Sequence, residues 1–558
     1  MGTSKKRKLI YFSVLSLLLS ISLDGFGQCD HIIDSDTDTI DGNKMNIQAG
    51  DVICLEAGAK PYLLIKNIDP NDNFNQPVTI QNHNGQLIID TDHVFGISIR
   101  HSNNIILSGK GDSDYYYGIH IRRVEPEGGS GVGISQLSSK VEVKGLEIAN
   151  TGFAGILAKT DPFCKDGNVM ATRDQFTQYD IIIHDNYIHD TEGEGMYIGS
   201  SKYLQGFPNP CPGQSGTVMP HVNVGVKVYN NRVERSGWDA LQVSSAVSDC
   251  DIHDNYIYRD SEAGLSAQMS GILIGGGSKC DCYNNKILEG KGDAIEMLGA
   301  GNQRIYNNLI VEPGQRFNPG DPNTFKHGIF VGHIFTETNA SLYLYNNTIV
   351  KPRADGIKFQ NEHLKNNKAY NNVILDPGSY EAVGDRAYIN LEPQTIELDR
   401  QNNFLNTNVY SAGFDSPANN DYDLNLNSPL INSGRAIAEF NYDIENRSRP
   451  HGGGWDIGAY ECHKPGVGID ETPEIVRNYN VYPNPVEDIL SLDIHLKKKS
   501  FVILTIRNSL GQLIFETKSI ASEMEYFRRI NTASWSSGMY TYTIRFNEGQ
   551  IRGKLIKK

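Results

Sequence analysis

The sequence predicts an all-β protein whose main body is a parallel β-helix. Three observations lead there: a strand phrase broken by two polar residues that keeps returning, a spacing between copies that suits a solenoid, and no helical period anywhere. The phrase is clear in KVYNNRV (227–233) and returns as DIHDNYI, DCYNNKI, RIYNNLI, YLYNNTI and KAYNNVI. Its second polar residue is Asn231, Asn255, Asn285, Asn308, Asn347 and Asn372, and an earlier copy, IIHDNYI, adds Asn186. From Asn231 to Asn308 the copies lie roughly 23 to 30 residues apart, within the range of stacked repeats.

Each unit reads V-x-V-x-N-N-x-I, then a few polar residues, then Gly-Ile-x-Ile. Alternation sends every second side chain inward, and three short strands per turn make one coil. The repeated Asn is expected at a tight bend. It tolerates left-handed geometry there and can hydrogen-bond to the Asn one coil away. The series is therefore read as structural.

At 558 residues the chain exceeds one ordinary domain and can bury a large core. Gly 55 and Tyr 28 suit a turn-rich β protein. A formal net charge of −15 argues against nucleic acid or an anionic membrane as partner. It leaves an acidic polymer open, because one cationic cleft can hold an anion on an acidic protein. The N-terminus carries KKRK, then LIYFSVLSLLLSISL, then small residues, which is the pattern of a secretory signal. Its apolar run falls short of the ~20 residues that a bilayer span needs. No later segment is apolar enough to span, so a soluble, exported mature protein is expected, and a monomer is the expected state. Cleavage after Gly27 is favoured over lipidation of Cys29, since Gln28 suits the position before a lipidated Cys poorly.

Eight cysteines in an exported chain point to disulfides. Cys29 with Cys54 and Cys164 with Cys211 are the favoured pairs. Cys250 and Cys280 occupy matching positions of adjacent repeats and are expected to stack or bond, while Cys282 falls inward as a buried thiol. SKCDCYNN and SDCDIHDN lack a matched second Cys pair, which argues against zinc.

Over roughly residues 45 to 400 this pattern resembles the right-handed parallel β-helix proteins that carry the parallel β-helix repeat, including pectinases and alginate or chondroitin lyases. AGDVICLEAGAKPYLLIKNI looks like the opening coil of such lyases. The resemblance implies the fold and a carbohydrate-active protein; the fold itself hosts lyases, hydrolases, epimerases and adhesins. SPLINSGRAIAEFNYDIENRSRPHGGGWDIGAYE resembles a terminal segment of secreted β-helices and is expected to close the exposed end of the solenoid. NVYPNPVEDILSLDI, SLGQLIF, SSGMYTYTIRF and GKLIKK resemble the C-terminal sorting domain of Bacteroidetes type IX secretion, with Pro483, Asn484, Pro485, Gly511 and Gly538 at its turns. That resemblance implies a small β-sandwich-like domain, the secretion machinery as a partner, and a secreted or surface protein. The expected organisation is a signal peptide at 1–27, the β-helix at 28–415, a capping segment at 416–465, a linker at 466–477 and the sorting domain at 478–558.

In related β-helices the substrate lies across one strand face flanked by long insertions. Here GILAKT, GMYIGS, ALQVSS, GILIGG, AIEMLG, GIFVGH and GIKFQN are expected to stack in register, with Ile156, Met196, Leu241, Ile272, Ile295, Ile329 and Ile357 inward. Outward residues then form columns at the ~4.8 Å strand spacing. One column reads Leu157, Tyr197, Gln242, Leu273, Glu296, Phe330 and Lys358. A second, before the small residue, reads Ala154, Glu194, Asp239, Ser270, Asp293, His327 and Asp355. Lys159 lies further along, beside the space left by Gly199. Insertions around 160–178 and 200–222 follow the first two strands. The expected catalytic pair is Lys159 and Tyr197, with Glu194, Asp239, Gln242 and Trp238 binding substrate. Leu273 and Ser270 interrupt the polar columns, so Asp293, Glu296 and His327 form a second-choice catalytic group.

Each of these residues also has an ordinary reading. Outward solenoid residues are polar in any case, and Asp before Gly often just makes a turn. His184 and His189 map to the other two faces as solvated or stacked side chains, and Trp238 suits loop packing as well as a sugar face. GEGMYIG and the glycines at 275–277 precede no helix and are not phosphate loops.

Three functions compete. β-Elimination on a uronate-containing glycan, by a lyase or an oligosaccharide dehydratase, needs a base, an acid and stabilisation of the enolate. Hydrolysis would use paired carboxylates such as Glu194 with Asp239, and a non-catalytic adhesive solenoid would need neither. Ulvan or alginate is the polymer that the resemblance suggests. Calcium is a candidate cofactor if Glu194 and Asp239 converge.

Overall fold

The computed structural model describes residues 29–463 and 475–558, apart from 71–75, 317–324, 333–336, 338, 379–385, 509–511, 521–523 and 548. The signal peptide, Gly511 and most of the expected linker lie outside the described residues. The chain divides into two compact units, Met1–Ser200 with Gln205–Arg232, and Ser201–Leu204 with Val233–Lys558.

In the first unit, Thr39–Asp41, Leu63–Lys66, Phe95–Arg100, Ser130–Ser135, Ile156–Ala158 and Met196–Ile198 pair in parallel, each with the next. Leu241–Val243, Ser270–Ile274, Asp293–Met297, Ile329–Val331, Ile357–Phe359 and Ile389–Leu391 do the same in the second. Ile272, Ile295, Ile329 and Ile357 sit directly above one another and are fully buried. Period-2 alternation thus builds the core, and each such side chain stabilises by roughly 1.5–3 kcal/mol. The expected parallel β-helix is the fold.

The asparagine series forms an internal ladder. Asn285 donates its backbone N–H and its side-chain Nδ2 to Oδ1 of Asn308 at 3.0 Å each, and Asn308, Asn347 and Asn372 repeat this with the next coil. Asn186 donates to Asn231 likewise. The ladder runs one step beyond the repeated phrase, to Asn403. One detail is corrected: the left-handed residue is the one before the ladder Asn. Asp185, Asn230, Asp254, Asn284, Asn307, Asn346, Asn371 and Asn402 have φ between 51° and 58°.

That neighbouring position has a second task. Asn284, Asn307, Asn346, Asn371 and Asn402 donate their side-chain amides to Asn446, Tyr442, Asp456 and Gly458, Arg435, and Ser433 respectively. Residues 428–462 are therefore strapped along the flank of five coils, where a cover over the end was expected. The reason is apolar surface: Leu309, Val311, Val350, Val373 and Leu375 are buried beneath Leu430, Ile444, Ile457, Ala459 and Tyr460. Tyr306, Tyr345 and Tyr370 stack beside them against Phe440 and Trp455. The strands LIV, TIV and VIL are buried at every residue and apolar at all but Thr348, the pattern of strands covered on both faces. Within the strap, Arg449 and Glu461 are fully buried and paired at 3.2 Å.

The favoured disulfides Cys29–Cys54 and Cys164–Cys211 are present, and Cys250 bonds to Cys280. Cys29 is thereby occupied, which leaves no thiol for a lipid. Cys282 is a buried free thiol, as expected, and burial pushes its pKa up.

The C-terminal domain is a β-sandwich. A three-stranded antiparallel sheet (Val476–Tyr482, Ile489–Leu496, Glu525–Asn531) and a four-stranded one (Phe501–Asn508, Leu513–Ile520, Gly538–Arg545, Gln550–Lys557) share one apolar core. In the Pro483–Pro485 turn, Asn484 donates to Lys554 O and accepts from Ile556 N–H, which ties the turn to the last strand.

Candidate active site

The strands Ile156–Ala158 and Met196–Ile198 place Leu157 beside Tyr197, and Lys159 follows directly. Lys159 Nζ lies 4.7 Å from the centre of the Tyr197 ring and 3.1 Å from Asp161 Oδ2. The Tyr197 ring meets Phe153 edge-on at 6.3 Å. Gly199 has φ 74°, so its missing side chain serves a left-handed bend as well as the space beside Lys159.

Glu194 is where the structure departs from expectation. It was expected to face substrate, but it is 1 % exposed, and its Oε2 has no hydrogen-bond partner. Burial pushes its carboxyl up to about 7, against the pull of its own backbone N–H and of the Lys159 charge. A buried carboxyl lifted toward neutrality thus lies within the field of the Lys159 charge.

The two insertions that follow these strands are joined to each other. Phe163–Lys165 and Asn168–Met170 form one hairpin, Phe207–Pro208 and Thr217–Val218 another. The Cys164–Cys211 disulfide and Gln214 Nε2 donating to Gly167 O (2.8 Å) join them. His221, fully buried, accepts the Thr160 N–H at Nε2 (3.1 Å), so its Nδ1–H faces Val222 O at 3.1 Å. Burial lowers the His221 pKa, and the Asp161 and Lys159 charges act on it. Sequence reasoning missed Asp161 and His221. Asp161 stands two residues from Lys159 on an extended stretch, which is a usable signal; His221 arrives on an insertion and left none.

Trp238, Asp239 and Gln242 belong to the second unit. Their expected place on an open binding face is corrected for two of them: Asp239 and Gln242 are buried, and Gln242 Nε2 donates to Ser244 Oγ at 3.1 Å. Trp238 is half-buried, and its carbonyl accepts from Ser236 Oγ and Ser261 N–H.

The second-choice group does come together within the second unit. Asp293 Oδ2 pairs with Lys326 Nζ at 2.9 Å, and Asp293 Oδ1 accepts the His327 N–H at 2.6 Å. Glu296 accepts from Ser270 Oγ at 2.7 Å, and burial together with the Asp293 charge raises its pKa. His327 accepts the Asp355 N–H at Nδ1 (3.2 Å), and burial lowers its pKa. Lys326 completes this group and was not foreseen.

Calcium finds no carboxylate cage among the described residues. The one group of three metal-capable side chains there is Cys29, Cys54 and His83, and its cysteines are already joined to each other.

Residues 220–396 match the right handed beta helix region, and residues 480–558 match the secretion system C-terminal sorting domain. The chain is thus a right-handed parallel β-helix protein with a type IX sorting domain, which directs it to the cell surface or the extracellular space. Among solved structures it is similar to the A-module of mannuronan C-5 epimerase AlgE4 from Azotobacter vinelandii (11 % identity, TM-score 0.28, 64 % of this chain and 88 % of that one). It is also similar to the enzymatically active domain of tailspike protein 2 of bacteriophage CBA120 (9 %, 0.28, 91 % and 72 %). A third is a PL6 family polysaccharide lyase of Pseudopedobacter saltans (11 %, 0.26, 68 % and 92 %). No curated protein matches the sequence. Among the described residues no helix is long and apolar enough to cross a membrane.

A sorting domain serves as an address. Secreted protein is expected to lack the sandwich beyond Asn478 and residues 1 to 27, with mass spectrometry as the check. An intact C-terminus on secreted material would contradict this.

Proposed function

We propose that the protein is a carbohydrate-active carbon–oxygen lyase that performs β-elimination on a uronic-acid-containing glycan at the Lys159 site. The observation that carries this reading is Lys159 set against the Tyr197 ring with buried Glu194 in its field, on strands followed by two cross-linked insertions. Lys159 takes the proton α to the uronate carboxylate, and the C–O bond at the β carbon breaks as the C=C bond forms. Tyr197 O–H delivers a proton to the departing oxygen. Glu194 touches no substrate from its buried place and sets the charge beneath the pair. Asp161, the more exposed partner of the Lys159 ion pair (44 % against 19 %), gives way to the uronate. An acidic polymer or oligomer of the algal type, such as ulvan or alginate, is the substrate class.

A hydrolytic reading has one observation in its favour. In the second unit Asp293 pairs with Lys326, while burial and the Asp293 charge push the Glu296 carboxyl up, and a carboxyl pushed up beside an ion-paired one is the arrangement a glycosidase uses. Incubation of the full chain with a panel of uronic-acid glycans and their oligomers separates the readings. An unsaturated product, seen by its conjugated-alkene absorption, is expected. A saturated product supports the Glu296 reading, and absence of turnover with retained binding supports an adhesive solenoid.

The Glu194 carboxyl adds a pH signature. Its pKa near 7 should appear as a limb in kcat/KM, the charged form growing as pH rises. Glu194→Gln should remove that limb and keep the fold. A limb that persists in the variant would show that another group titrates there.

A further inference from the structure

We propose that the loop 109–118 presents a second glycan-binding site, on a face of the first unit separate from the Lys159 cleft. It stacks sugar rings on tyrosines and meets their carboxylate or sulfate substituents with Lys110 and Arg232. The sequence GKGDSDYYYG bears three consecutive tyrosines on a short loop. Tyr116 is 66 % exposed and Tyr115 40 %, although an aromatic ring left in water forfeits the gain of burial.

The loop is built to hold them there. Its ends close on each other, with Gly118 N–H donating to Gly109 O at 2.8 Å. Gly111 N–H donates to the buried side chain of Asn82 at 3.0 Å, and Gln86 Nε2 donates to Tyr117 O at 2.8 Å. A Cβ at Gly109, Gly111 or Gly118 would stand 1.9 to 2.3 Å from Gly145 O, Asn82 O or the Asn82 side chain. All three positions need glycine so that the loop can press against the coil. Lys110 Nζ donates to Tyr116 O at 2.6 Å and lies 3.6 Å from the centre of the Tyr116 ring. The ammonium braces one face of the ring and leaves the other to solvent.

The platform continues over neighbouring coils. Tyr116 meets Tyr117 edge-on at 4.7 Å, Tyr117 lies 6.1 Å from Tyr187, and Tyr187 stacks on His189 at 4.3 Å. The Arg232 guanidinium stands 5.5 Å from the Tyr187 ring. Pre-positioned tyrosines offer a large amphipathic contact area with little entropy to lose, and the apolar face of a pyranose suits such a surface. Lys110 and Arg232 stand at its margins as the contacts for an acidic chain, against the opposing charges of Asp112 and Asp114 in the same loop and of Asp185, which acts on Lys110.

This inference rests on the glycan-active reading above, and the test keeps the two apart. The full chain and its Tyr116→Ala and Tyr116→Trp variants are run through native gels containing alginate or polygalacturonate, and assayed on short uronate oligomers. Tyr116→Ala should be retained about three- to tenfold less by the polymer, Tyr116→Trp should restore retention, and oligomer turnover should not change. Equal retention of Tyr116→Ala and parent overturns the inference, as does a parent that neither polymer retards. If Tyr116→Ala instead changes the oligomeric state in sedimentation, the patch binds a second copy and the inference is again wrong. Retention that depends on Tyr116 without any unsaturated product would leave this site standing and remove the lyase.

Discussion

Lys159→Ala is expected to lower formation of the unsaturated product by ~10²–10⁴, with the fold intact, because a positioned proton carrier contributes about that much. Tyr197→Phe should lose a similar factor: the ring that packs on Phe153 and faces Lys159 remains, and only the hydroxyl goes. The pair is informative because neither change opens a core. Lys159 is partly exposed, and Phe fits where Tyr did. Circular dichroism and melting should match the parent, so a lost rate reports chemistry. Full activity in both variants would move the reaction to the group formed by Asp293, Glu296 and His327. In that case Glu296→Gln should stop a reaction whose product is saturated.

Arg449→Ala is expected to destabilise the second unit by about 3–5 kcal/mol, since it leaves a buried carboxylate without its partner. Arg449 donates to Glu461 Oε2 at 3.2 Å, to Asp456 O at 3.1 Å and to Gly458 O at 2.7 Å, so one truncation removes a donor from three buried acceptors and the counter-ion from Glu461. The loss should depend on pH. Burial already lifts the Glu461 carboxyl to about 7 in the presence of Arg449, and without the guanidinium the lift is larger. A carboxyl whose folded pKa lies above its unfolded one, about 4.3, contributes stability at low pH and loses it as pH rises through the folded value. The penalty should therefore be smaller near roughly pH 5 than near pH 8. Denaturant midpoints and the rate of proteolysis within 428–462 are the measurements. An unchanged midpoint at both pH values would mean that the strap contributes little to the cooperative unit.

Much of the candidate site was legible because a strand has a period of two and a coil stacks in register. Those rules alone place Tyr197 beside Leu157 and Ile295 between Ile272 and Ile329. They do not tell how deeply a residue at a coil corner is buried. Glu194 and Asp239 were read as facing solvent, yet both are closed in, because a residue next to a bend takes its environment from the loops that fold over it. His221 reaches Thr160 from a segment 61 positions away, and Asp161 becomes a partner of Lys159 only through side-chain geometry. Only the second has a local sequence signal, the two-residue spacing of Lys159 and Asp161.

By itself the sequence determined the solenoid, the asparagine ladder, the two insertions and the address for export, because each follows from a local period, a repeated residue or a contiguous motif. The Asn-Asn pair shows where this stops. The second Asn could be assigned from the repeat alone, since stacked coils bring identical positions together. The task of the first Asn was decided by the tertiary structure. Asp185 and Asp254 occupy that corner in two coils and bond to the histidine beside them. In five later coils it is Asn, whose amide can donate to a passing backbone as a carboxylate cannot, and there the strap runs. That the strap returns along the flank depends on contacts between residues as far as 162 positions apart. Such contacts form where apolar strands are left uncovered on their outer face, and only the folded chain shows what covers them.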